Sequence, residues 1–370
     1  MYPPSPPPVP SPLRGALLVA SLLALGLLAA PAPALAQVDA PDTVTVARPI
    51  PSDAFGSAGA SELLARGREA RGRIAAGLES YEGEMSERFY LGLAADLLRR
   101  ERGMIQQVRT ARIRWGADGE RTVRWEGARR DHPILGLSSA RRRAQADALG
   151  RRLARPVLPP PLAYDPGSDR LFFGEEWSLN PLSDTAEYHY RFQEGDTLTL
   201  RLPGDEADLQ LLELRVEPRR SDPRLLAASL WFESGSGQLV RAGYRPARPF
   251  DVQIDSPDGG RDVPGFLLPI RAEIRYVTVD HALFDMRWWI PRRFAFEGEG
   301  QVANLARFPV QFEWTVSDLE VNEIASEIFT LPDSMPDGWV VSTAEFESPD
   351  GPRRLTVIVP PVDSFTANAP

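Results

Sequence analysis

From Ala306 to Val316 every even-numbered residue is apolar: Ala306, Phe308, Val310, Phe312, Trp314 and Val316 alternate with Arg307, Pro309, Gln311, Glu313 and Thr315. Successive side chains of a strand point to opposite faces, so a period of two marks a strand with one face buried and the other wet. The pattern recurs. Tyr81, Met85, Phe89, Leu91 and Leu93 alternate with Glu82, Glu84, Ser86 and Arg88. Ala111, Ile113 and Trp115 face Val123 and Trp125 across Gly116-Ala117-Asp118-Gly119, a turn in which glycine supplies positive φ. Leu198, Leu200 and Leu202 alternate, as do Leu212, Leu214 and Val216, and the runs 230–232 and 238–244 flank a Ser-Gly-Ser-Gly turn. The last strands are expected over about 270–279, 286–297 and 303–316, after a long loop at 250–266. This is a large antiparallel β-structure with an aromatic-rich inner face, its neighbours joined by short connections.

Helical spacing is confined to two places. Leu63, Ala70, Ile74 and Leu78 share one face of a helix beginning at Ser61. A basic helix over 139–153, carrying Arg141, Arg142, Arg143, Arg151 and Arg152, stops before Pro156 and Pro159-Pro160-Pro161. The continuous apolar face of the sheet must curl around these helices or around a ligand.

The first 36 residues read as a signal peptide. Arg14 precedes an apolar core from Ala16 to Ala30, and Ala34-Leu35-Ala36 provides a small-x-small cleavage site before Gln37. The apolar run is shorter than the ~20 residues of a membrane span, and Pro31 and Pro33 interrupt it. Export to a bacterial periplasm is therefore expected, with no transmembrane helix after cleavage and with association to the outer membrane as a further option. The domain plan is 1–36 signal peptide, 37–59 flexible leader, 60–322 folded domain and 323–370 acidic tail.

The order of elements resembles the lipoprotein-carrier fold of the bacterial Lol system and its periplasmic relatives. Two segments carry the resemblance, SLWFESGSGQLVRAGYR at 229–245 and DMRWWIPRRFAFEGEG at 285–300. The first is similar to the strand–turn–strand hairpin of those domains, the second to their late strand with a Trp-x-Pro-Arg element. The pair also resembles the periplasmic region that precedes the barrel in large outer-membrane proteins. The resemblance implies an α+β, β-dominated fold: a strongly curved antiparallel sheet, or half-barrel, whose open face is covered by the N-terminal helix and a second helix. It implies no functional residue.

Composition narrows the chemistry by exclusion. All 42 basic residues are arginine and there is no cysteine, so Schiff-base lysines, cysteine nucleophiles, thiolate metal sites and disulfides are absent. His132, His189 and His281 do not fall at zinc-ligand spacing. Gly235-Ser236-Gly237 lacks the spacing of a nucleophile elbow, and Asp165 with Asp169 does not match a calcium loop. Acid pairs such as Glu175-Glu176 are expected by chance among 51 carboxylates. Residues 61–155 carry 21 Arg against 13 acids, but export and a net charge of −9 argue against nucleic acid as partner.

What remains is the aromatic face. Trp231, Trp288, Phe294, Phe308, Phe312 and Trp314 occupy inward strand positions if the alternation is read literally. They form either a filled core or a groove for an acyl chain, where each buried methylene contributes about 0.8 kcal/mol without any polar motif. The expectation is a non-enzymatic cell-envelope protein that binds a lipid or lipoprotein, with no cofactor and no metal. The alternatives are an interaction module working beside an outer-membrane barrel, and a hydrolase using unrecognised carboxylates.

Overall fold

The computed structural model describes residues 49–95, 101–131, 158–173, 176–201, 208–255, 263–285, 287–303, 305–323, 326–330, 335–346, 352–361 and 364. Both the signal peptide and the basic helix expected at 139–153 lie outside them. The first helix, α1 (Ala58–Gly77), leads into β1 (Ser80–Ala95), β2 (Arg102–Gly116) and β3 (Glu120–Asp131). One helical turn, α2 (Pro160–Ala163), and a separate hairpin, β4 (Arg170–Phe173) with β5 (Glu176–Leu179), follow. Then come β6 (Tyr190–Arg201), β7 (Asp208–Pro218), β8 (Leu226–Glu233), β9 (Leu239–Pro246) and the short β10 (Phe250–Asp251) with a single turn, α3 (Val252–Asp255). The long strands β11 (Ile270–Phe284), β12 (Trp288–Val302) and β13 (Ala306–Val321) precede a last hairpin, β14 (Val340–Phe346) and β15 (Arg353–Val359).

Thirteen strands form one sheet in the order β14-β15-β3-β2-β1-β13-β12-β11-β9-β8-β7-β6, with β10 added beside β11. Every pairing is antiparallel except β15 on β3. β14 and β6 do not pair with each other, so the curved sheet remains open, as the half-barrel plan requires. Hairpin chemistry shapes the turns: Gly237 takes φ of +71° between β8 and β9 of the β6–β13 meander, and Gly119 takes +93° between β2 and β3. The junction of β13 with β1 joins strands more than two hundred residues apart, with Met85 opposite Val316 and Phe89 opposite Phe312.

α1 starts earlier than Ser61. Ser57 caps it, accepting the Ala60 N–H at 3.1 Å and donating its hydroxyl to Glu194. Residues 54–56 are also not a loose leader: Gly56 N–H donates to the Phe192 carbonyl and Phe192 N–H to that of Ala54, both at 2.8 Å. At the helix's other end, Asn322, with φ of +57°, accepts from the N–H groups of Glu79 and Ser80 and donates to the Gly77 carbonyl. One side chain thus ties the end of α1 to the end of β13.

Within 323–370, β14 and β15 are two strands of the main sheet. Leu355, Val357 and Val359 of β15 are buried in the same apolar cluster as Ile113, Trp115 and Val123. β6 differs from expectation: a register shift between Glu194 and Thr197 breaks its alternation, and Leu198 and Leu200 end up exposed.

Candidate functional site

The inner face of the sheet is built from directly opposed residues, which share a face. One row runs Ala128, Arg109, Glu87, Trp314, Phe294, Val279, Ala242, Leu230 and Leu214 across eight neighbouring pairs. The row beside it on β2, β1, β13 and β12 is Gln107, Phe89, Phe312 and Phe296. Three apolar clusters lie along this face, and they are covered very differently.

Two of them are filled by α1 and the Pro-rich segment. Ala60, Leu63 and Leu64 of α1 pack with Tyr190, Phe192, Leu230, Phe232 and Phe294, while Ile74 packs with Met85, Trp288, Ile290 and Val316. Contact is so close that a Cβ on Gly67 would lie 2.7 Å from the Phe232 ring, and one on Gly77 2.6 Å from Trp288. The segment around α2 is pinned by the polar tips of core aromatics: Tyr81 Oη donates to the Pro161 carbonyl at 2.6 Å and Trp115 Nε1 to that of Tyr164 at 2.8 Å. Arg121, fully buried and stacked on Trp115, donates to the carbonyls of Leu162, Gly116 and Glu120; burial lowers its pKa to about 10.

The third cluster lies at the opposite end of β1, β2, β12 and β13. Phe89, Leu91, Val302, Ala306 and Phe308 form its floor, with Leu93, Met104, Ile105, Val310 and Phe312 half-buried around them. Among the described residues its only member from outside those four strands is Leu267. No described α-helix contributes a residue to it. Phe312 is the centre of an aromatic ladder, 4.5 Å from the Phe89 ring centroid, 6.0 Å from Phe296 and stacked on Trp314 at 5.0 Å.

A largely buried ion pair separates this third cluster from the core filled by α1. Glu87, 2% exposed, accepts from Arg109 Nε at 2.8 Å, from Arg109 Nη2 and from Trp314 Nε1 at 3.0 Å. Arg109 lies 4.6 Å over the Trp125 ring, and Gln107 next to it accepts from Arg130 Nε and Nη2. The stripe from Ala306 to Phe312 therefore ends against charge at Trp314.

The six aromatic residues singled out from the sequence separate accordingly. Phe308 and Phe312 belong to the third cluster, Trp314 packs against the other two at its border, and Phe294 belongs to the core filled by α1. Trp288 is packed under the end of α1 and belongs to the core. Trp231 does not join them: it alternates with the buried Leu230 and Phe232, and its cross-strand neighbours are Glu213 and Arg241 on the outer face. The reason is parity, since a two-residue period admits only one of Trp231 and Phe232 to the core. Sequence reading missed Glu87, Gln107 and Arg109. An acid at an inward position of β1, opposite an arginine, was the available signal.

Elsewhere the outer face has a cleft of about 260 Å³ lined by Glu82, Arg112, Arg124, Glu126, Asp318 and Glu320, among others. Of its charges, Glu82 pairs with Arg114 and Arg112 with Glu84 and Glu126. Ser326 donates to Glu82 there, holding the chain after β13 against the sheet. No group of potential metal ligands occurs among the described residues.

His281 is half-buried, yet its Nδ1 is sealed from solvent without a hydrogen-bond partner, and its ring meets Tyr164 edge-on. Burial lowers its pKa from 6.5 to about 4, against smaller opposing contributions from a backbone hydrogen bond with Val240 and from Asp280. The unfolded imidazole takes up its proton near 6.5 and the folded one only near 4, so acid favours the unfolded chain across that window. Urea unfolding should lose on the order of 2 kcal/mol between those limits. His281→Gln should flatten the slope between 6.5 and 5; an unchanged slope would assign it to other groups.

No protein-family model and no curated protein matches the chain. Solved structures do. MucB is 13% identical, with a TM-score of 0.24 over 80% of this chain and 74% of that one. A putative outer membrane lipoprotein-sorting protein domain from Vibrio parahaemolyticus is 12% identical, with a TM-score of 0.25 over 72% and 96%. A LolA superfamily protein from Nitrosomonas europaea is 13% identical, with a TM-score of 0.22 over 74% and 97%. Superposition at such scores transfers no residue role. At these scores the chain is similar to LolA-superfamily structures and to MucB.

Proposed function

We propose that this protein is a non-enzymatic binder of a single acyl chain, carried by a lipid or a lipoprotein, in the bacterial periplasm. The observation that carries the reading is the third inner-face cluster, an apolar stripe to which no described α-helix contributes a residue. From Ala306 to Phe312 it spans seven residues, six rises and roughly 20 Å along the strand. That suits one acyl chain, two of which end to end make the roughly 30 Å bilayer core. The aromatic ladder around Phe312 supplies contact area without hydrogen-bonding demands, and Glu87 with Arg109 forms a polar stop that a hydrocarbon does not cross.

Native mass spectrometry of the protein recovered from a periplasm without detergent tests this. A discrete adduct of lipid mass is the expected result, and Phe312→Asp is expected to remove it while leaving the circular dichroism spectrum unchanged. Phe312 is the informative position because it is half-buried on the stripe, whereas Phe294 is core. An unliganded mass that persists after lipids are offered sinks the acyl reading. It would favour a protein partner instead, for which the exposed Leu198 and Leu200 on the edge strand β6 provide an attachment line.

A further inference from the structure

The end of the sheet formed by the β12–β13 turn carries an apolar tip. Residues 263–269 read Val-Pro-Gly-Phe-Leu-Leu-Pro, without one polar side chain. The segment is held firmly: Leu267 N–H donates to the Pro264 carbonyl at 2.9 Å, and Ala303 N–H donates to the carbonyls of Leu267 and Pro269 at 3.2 and 2.8 Å. Phe266 stands at its crest, 73% exposed. Leu305, in the adjoining turn, is 66% exposed and Ile254, in α3, is 67% exposed. Asp251 of β10 pairs with Arg271, next to Ile270, and Ile270 pairs with Val302, so all three side chains belong to one end of the sheet. Isolated exposed apolar residues are ordinary; three gathered on rigid elements at one end call for a partner.

Charge indicates which partner. Arg102 stands opposite Leu93 and Arg307 opposite Ala94, flanking the last residues of β1 at that same end. Both are exposed, and among the described residues neither has a hydrogen-bond or ion-pair partner. We propose that this tip docks on an anionic bilayer surface, with Phe266, Leu305 and Ile254 entering the headgroup region and Arg102 and Arg307 meeting lipid phosphates. An exposed apolar patch suits a protein or a membrane; beside it, two exposed guanidinium groups without acidic partners among the described residues favour an anionic bilayer. Arginine stems lie along apolar surface while the guanidinium reaches phosphate. The inference concerns the outside of the tip and does not depend on what the inner stripe holds.

Vesicle co-sedimentation tests it, using the exported protein with its N-terminus checked by mass, because the apolar leader would bind lipid by itself. Vesicles of phosphatidylcholine, alone and mixed with phosphatidylglycerol, are the probes. Wild type is expected to pellet with the mixed vesicles, and F266S with L305S to weaken that binding at least about tenfold. Arg102→Gln with Arg307→Gln should weaken binding to the anionic vesicles alone, as added salt does. Phe312→Asp should leave vesicle binding intact, which separates this surface from the acyl stripe. Wild type remaining in the supernatant, or the Phe266 and Leu305 variant pelleting equally well, overturns the proposal. An equal effect of the arginine changes on both vesicle types overturns its anionic part.

Discussion

Ending the chain at Gly338 is expected to destabilise the protein by on the order of 5 kcal/mol, a large share of the 5–15 kcal/mol available to a folded domain. The truncation removes β14 and β15. Leu355, Val357, Ile358 and Val359 are all 3% exposed or less, and burying side chains of this kind contributes about 1.5–3 kcal/mol each. Ordering the hairpin offsets part of that gain. The loss is also felt on β3, whose edge would open along Glu120–Arg124, and at Asp165, whose ion pair with Arg353 would vanish. Urea denaturation of the two lengths measures the difference. If 323–370 were an independent tail, the midpoints would coincide.

Replacing Glu87 alone by leucine is expected to cost about 3–5 kcal/mol, because it strands the positive charge of Arg109 in a largely buried site and leaves Trp314 Nε1 without its acceptor. Replacing Glu87 and Arg109 together by leucine should recover most of that cost, since two apolar residues replace a pair whose desolvation nearly cancels its attraction. A double-mutant cycle by chemical denaturation should therefore give a coupling above about 2 kcal/mol. A single-variant cost below about 1 kcal/mol would mean that solvent reaches Arg109 and screens it, as at a surface pair.

The local order of this fold was legible because it depends on neighbours in sequence. The alternation at 306–316 became β13, and the Gly116–Gly119 turn joined β2 to β3. Parity also placed Phe308, Phe312 and Trp314 on one face, because no bulge interrupts the pairing of β13 with β12. Trp231 failed for the same physical reason in reverse: a literal reading by residue type put it beside Phe232, and only one of the two can face inward. The register shift in β6 carried Leu198 and Leu200 off the core in a way that their Thr-Leu alternation does not announce.

The sequence by itself determined which segments are strands, which face of each is apolar and where α1 lies, since hydrophobic periodicity and turn chemistry are local. Only the tertiary structure decided that β13 closes on β1, that β15 runs parallel to β3, and that α1 fills one part of the inner face while no described α-helix joins the cluster around Phe312. Those outcomes rest on pairings between distant segments, where many partners have compatible faces. Packing of the whole chain selects among them: Glu87 meets Arg109 and Trp314 only once three strands are side by side.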